Sequence, residues 1–133
     1  MTSIVTSSLL PDPPPRRHDE EDFQRAVIQY LRWSLPPDAT AMAIPNGGLR
    51  HSRAAARLAG QGVVAGAPDL LVVYRGKALF LELKTPRGRL SEIQRQFHKK
   101  LHFCGAEVML CTSLVEIEAA LREIGVPLAA RTQ

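Results

Sequence analysis

A single short segment, Leu70 to Lys84, leaves few folds open to this chain. Leu70–Tyr74 and Ala78–Lys84 are largely apolar runs that meet at Arg75 and Gly76, a spacing and turn composition that predict a β-hairpin. Strand side chains alternate between faces, so Leu79, Leu81 and Leu83 point together into a core while Glu82 and Lys84 emerge together on the other side. Two opposite charges on an apolar strand need a reason, and the hairpin needs other elements to cover its leucine face.

The flanking sequence supplies those elements. From Asp19 onward Phe23, Val27, Tyr30, Leu31 and Ser34 fall on one helical face, and Pro36 with Pro37 closes the segment. Ala39–Ile44 reads as a short strand, ended by the turn residues Pro45, Asn46, Gly47 and Gly48. Arg50–Leu58 is Ala-rich and favours helix as far as Gly60, after which GQGVVAGAP is too glycine-rich for regular structure. Ser91 and Gln94 have the spacing of a capping box and open a helix whose predicted buried stripe is Ile93, Phe97, Leu101 and Cys104, with Gly105 as its stop. Glu107–Cys111 is a further strand. Ser113 and Glu116 repeat the cap before a last helix carrying Val115, Ile117, Ala120, Leu121 and Ile124. The order is α-β-α-β-β-α-β-α, which predicts a small α/β protein with a mixed β-sheet flanked by helices. At 133 residues the chain is one domain. Residues 1–17, with Pro11 and Pro13 to Pro15, are expected to be a flexible tail, and 126–133 a C-terminal tail.

Charge is unevenly spread. Residues 46–102 hold eleven Lys and Arg against three Asp and Glu, a net of +8, although the whole chain carries only +4. A middle third this basic points to a polyanion such as nucleic acid, and the competing reading is scattered solvated charge. Aromatic residues make up 5% of the chain, which argues against a surface for stacking bases. No apolar stretch approaches the roughly 18 residues of a membrane span, and the N-terminus lacks the pattern of a signal peptide, so a cytoplasmic protein is expected. Cys104 and Cys111 are too few for a disulfide framework and lack zinc-site spacing, so both are expected in the core.

The chemistry concentrates on Asp69, Glu82 and Lys84. If Asp69 begins the strand paired with the one carrying Glu82, the two carboxylates approach and repel unless a cation sits between them. Hard oxygen donors of this kind suit Mg²⁺ or Mn²⁺. Lys84 could then orient water or steady phosphoryl charge. The alternative is a surface ion pair on an edge strand. Glu20, four residues before Gln24 and at the edge of the apolar face of the first helix, could add a second acid, or could merely complement the helix dipole with Asp19, Glu21 and Asp22. Gln94 could hold Lys84 or a phosphate, while His98, on the same face, is expected to be a partly exposed polar residue. Arg50, Arg53 and Arg57 recur along one side of their helix as a row suited to phosphates, and Arg87 and Arg89 flank Gly88 just after the charged strand.

These residues resemble a known group. Pro68-Asp69, Glu82-Leu83-Lys84 and the helix with Gln94 look like the PD-(D/E)XK nuclease motif. The wider string Asn46-Gly47-Gly48, Gly62, Gly66-Ala67-Pro68-Asp69-Leu70, Glu82-Leu83-Lys84, Gly88, Leu90-Ser91, Gln94 and Gly105 is similar to the VRR-NUC branch in its stand-alone, phage-type form. The likeness spans about residues 19 to 121, within an expected nuclease domain of 18–125; the Val-Arg-Arg triplet that names the family is absent. The resemblance implies a restriction-endonuclease-like core and DNA phosphodiester hydrolysis dependent on Mg²⁺ or Mn²⁺. It implies Asp69, Glu82 and Lys84 as the catalytic set, the main-chain carbonyl of Leu83 as a further metal ligand, and Glu20 and Gln94 as accessory residues. It further implies a homodimer acting on branched DNA such as four-way junctions; the candidate DNA contacts in the basic segment are Asn46, Arg50, Arg53, Arg57, Arg87, Arg89 and Lys99. Within the chain's own chemistry, the alternative is a DNA-binding module without catalysis, built on the basic 46–102 segment.

Overall fold

In the computed structural model the described residues are 17–45 and 52–129. The elements run α1 (Arg17–Ser34), β1 (Ala39–Ala43), α2 (Ser52–Gly60), β2 (Leu70–Tyr74), β3 (Lys77–Leu83), α3 (Glu92–Phe103), β4 (Glu107–Cys111) and α4 (Leu114–Glu123). The predicted tail, 1–17, lies outside the described residues except for Arg17, which opens α1.

The four strands form one sheet in the order β1-β2-β3-β4. β1 with β2 and β2 with β3 are antiparallel, whereas β3 with β4 is parallel, as a crossover through α3 requires. The β2–β3 turn is tight because Arg75 and Gly76 both adopt positive φ, 46° and 82°, the geometry that suits a two-residue hairpin loop. Pairing Leu70 with Leu81 then sets the register that turns Leu70, Val72, Leu79 and Leu81 to one face. That face meets Val27 and Leu31 of α1 and Ile117, Ala120 and Leu121 of α4, with Leu83, Cys111 and Val126 completing the core. Val126 is thus part of the packed body, and the Ala129 N–H donates to the Ser34 carbonyl at 3.0 Å.

Ser91 caps α3 as expected. Its hydroxyl accepts from the Gln94 N–H at 3.1 Å, and its own N–H donates to Gln94 Oε1 at 2.9 Å, closing both halves of the capping box. The predicted buried stripe of α3 is corrected: none of its residues is buried, Ile93 is 56% exposed, Phe97 and Leu101 are half-buried, and Cys104 is exposed. The helix packs chiefly on the edge strand β4, so its apolar side sits at the rim of the sheet and is covered from one direction. Cys104 falls at the C-cap, beyond that packed stretch, so only Cys111 is a core thiol, and burial raises its pKa to about 11. In α4, Val115 is likewise exposed, because it stands two residues from Ile117 and therefore on nearly the opposite side of the helix.

Candidate active site

Asp69 is placed by main-chain bonds on both sides. Its N–H donates to the Leu81 carbonyl at 3.1 Å and its carbonyl accepts from the Ile44 N–H at 2.8 Å, so it extends the β2 ladder by one residue. Its Oδ2 accepts from the Leu83 N–H at 2.7 Å, which directs the carboxylate across to β3 next to Glu82. The approach to this position depends on Gly66, whose φ is +84°; a Cβ there would lie 2.6 Å from the Ile93 carbonyl oxygen and 2.8 Å from its Cγ2. Gly62 also has positive φ, +98°, but open space around it. G66A should therefore cost about 1–3 kcal/mol more than G62A, because overpacking adds to a backbone strain both share. Thermal unfolding of the two variants side by side checks this; equal losses would refute it.

β3 is an interior strand and Glu82 is 0% exposed, so the reading of a surface ion pair on a sheet edge is set aside. Glu82 Oε1 lies 2.9 Å from His98 Nε2, and its other oxygen, Oε2, is buried and receives no N–H or O–H donor. Burial first, then a hydrogen bond with the Asp69 carboxyl and the charge of that group, together push this carboxyl up to about 9, far above the ordinary carboxylate range, with Lys84 opposing and Glu20 adding a smaller rise. Lys84 is 8% exposed and directly follows the strand; its N–H donates to the Cys111 carbonyl at 3.1 Å. Its ammonium is 3.7 Å from Glu20 Oε1, which brings an acid of α1 to this cluster. Gly88 lets the following turn close on the lysine stem: a Cβ there would stand 3.3 Å from Lys84 Cδ.

His98 was not legible as a site residue. It shares a helical face with Gln94, but spacing alone does not say that α3 lies along β4 with this face reaching Glu82. Burial, the largest cause, lowers its pKa and so favours the neutral imidazole. Gln94 places its Oε1 on the Ser91 N–H rather than on Lys84. Of the candidate DNA contacts, Arg57, Arg87, Arg89 and Lys99 are exposed, while Asn46, Arg50 and the side chain of Arg53 lie outside the described residues.

Two buried or half-buried carboxylates side by side, one with an orphaned oxygen, form a donor set that a hard divalent cation satisfies. Among the described residues no three His, Cys, Asp or Glu side chains gather as a complete cage. Mg²⁺ does not require one, since it binds through one or two carboxylates and keeps several waters. The fit therefore holds.

A mixed sheet between helices, with Asp, Glu and Lys brought together at its central hairpin, defines the class: a restriction-endonuclease-like nuclease fold. The family model for the VRR-NUC domain matches residues 17–114, and the chain belongs to that family. A solved structure described as a VRR_NUC domain superposes with a TM-score of 0.53 at 21% sequence identity, covering 78% of this chain and 94% of the other. That likeness is one of fold. No curated protein matches the sequence. Among the described residues no helix is long and apolar enough to cross a membrane.

Proposed function

We propose that this VRR-NUC domain is a divalent-metal-dependent DNA endonuclease, using Mg²⁺ or Mn²⁺ and acting in the cytoplasm on branched DNA, four-way junctions included, as a homodimer. The observation that carries the catalytic reading is the carboxyl of buried Glu82, its Oε2 without an N–H or O–H donor, brought against the Asp69 carboxyl and beside Lys84. Held by Asp69, Glu82 and the Leu83 main-chain carbonyl, the ion would supply Lewis acidity, lowering the pKa of water and drawing charge from the phosphodiester.

The chain's own groups do the rest. Asp69 is fixed by the Leu83 N–H, so its carboxylate needs no reorganisation when substrate arrives. Lys84 presents a cation to the developing phosphoryl charge or to the attacking water, and Glu20 holds the ammonium from α1. Exposed Arg57, Arg87, Arg89 and Lys99 supply phosphate contacts around the site, a role that makes affinity fall with salt. A symmetric junction needs two matched cuts and each chain has one site, which favours a two-fold dimer.

The test incubates labelled duplex, flap and four-way-junction DNA with Mg²⁺, with Mn²⁺ and with EDTA. Expected are products only with a metal, at the highest rate on branched substrates. Binding in EDTA that Mg²⁺ leaves unchanged, with no product on any substrate, would instead identify a DNA-binding module. Absence of any salt-dependent affinity for DNA would remove both readings.

A further inference from the structure

We infer that His98 is a positioning residue for the cation: by holding Oε1 of Glu82 it fixes the carboxylate so that Oε2 faces the metal. This rests on the proposed metal site. The carboxylate of Glu82 sits at the end of a flexible stem, and an unrestrained one could offer either oxygen or turn both away. Here the choice is made from outside the strand. His98 stands in the middle of α3, its side chain 15% exposed, with Nε2 2.9 Å from Oε1. The second oxygen of the same group receives no N–H or O–H donor. When Glu82 is ionised beside a cation, Oε1 accepts from the Nε2–H, and Oε2, which no donor holds, is the oxygen fully free to ligate.

The arrangement also ties the two halves of the site together. α3 is anchored at its start by the Ser91 capping box and lies against Gly66 in the loop that delivers Asp69. The same helix therefore backs the loop of one acid and grips the other directly. A bond from outside the metal shell that orients a ligand is generally worth about 10–100-fold in metal affinity.

The experiment measures Mn²⁺ affinity without DNA, by calorimetry or by the free-Mn²⁺ resonance signal, for the wild type and for H98L, H98N and H98Q. Glutamine places a donor where Nε2 stands, leucine carries none, and asparagine is too short to reach. Expected is a loss of about 10–100-fold in affinity for H98L and H98N, and affinity within about threefold of wild type for H98Q. Circular dichroism in EDTA should show all four folded, with H98L and H98N melting lower because they leave buried Oε1 without its donor, and the Mg²⁺ concentration for half-maximal cleavage should rise in step with the loss of affinity. Wild-type affinity in H98L and H98N, or an H98Q as weak as H98L, overturns the inference while leaving the metal site standing. A wild-type protein that binds no Mn²⁺ overturns the site itself.

Discussion

Lys84→Met should lower the rate of metal-dependent DNA cleavage by about 10²–10³-fold while leaving DNA affinity and metal affinity in place. Methionine keeps the unbranched apolar stem as far as Cε, so the close approach of Gly88 to it survives and the variant loses the ammonium. That ammonium is the cation standing among Glu20, Asp69 and Glu82. Its removal makes the acid cluster more negative, and a divalent cation should bind at least as well as before. Rate and metal affinity then move independently, which is the signature of a group that acts on reacting charge rather than on assembly of the site. Asp69→Asn gives the opposite pattern, losing Mn²⁺ binding and cleavage together. Single-turnover rates at saturating metal, paired with Mn²⁺ titrations, make the comparison; a wild-type rate in Lys84→Met would end the proposed role for this residue.

Glu82→Gln should abolish cleavage and yet stabilise the metal-free protein at alkaline pH. The buried carboxyl keeps its proton up to about pH 9 when folded, against an ordinary value of 4.5. Below about 4.5 the group is protonated in both states and contributes its full stability. As pH rises from there towards 9, the unfolded chain releases a proton that the folded chain retains, so stability is lost progressively across that window. In EDTA the wild-type melting temperature should therefore fall between pH 5 and 9, and that of Glu82→Gln should fall less. At pH 8 the variant should melt higher by roughly 5 °C or more. Mn²⁺ competes with the proton for the same oxygens, so it should raise the wild-type melting temperature most at alkaline pH and that of Glu82→Gln hardly at all. Parallel pH profiles for the two proteins in EDTA would show that Glu82 does not hold its proton in the folded state as described.

Local rules made a large part of this molecule legible. A two-residue turn admits left-handed backbone at Arg75 and Gly76, and the period of two along the strand puts Leu79, Leu81 and Leu83 on one face whatever lies above it. The Ser91 and Ser113 caps act within three or four residues, and they formed where the spacing placed them. Asp69, Glu82 and Lys84 could be grouped for the same reason, since a hairpin brings together residues whose separation along the chain is set by its own turn.

What required the packed molecule was every relation between one element and the next. Periodicity states which residues of a helix share a face but not what that face will meet. The stripe of α3 lies at the rim of the sheet instead of in the core, Gln94 is spent on the helix cap, and His98 lands on Glu82. Placement of β3 between β2 and β4, rather than at an edge, buries Glu82 and turns an ordinary carboxylate into one that holds its proton to about pH 9. The order of residues along the chain thus settled the strands, turns, caps and the identity of the charged groups, because those follow from short-range geometry. Burial, partnership and the shifted acidity of Glu82 came from how helices dock on the sheet, because desolvation and side-chain contact depend on neighbours that are distant along the chain.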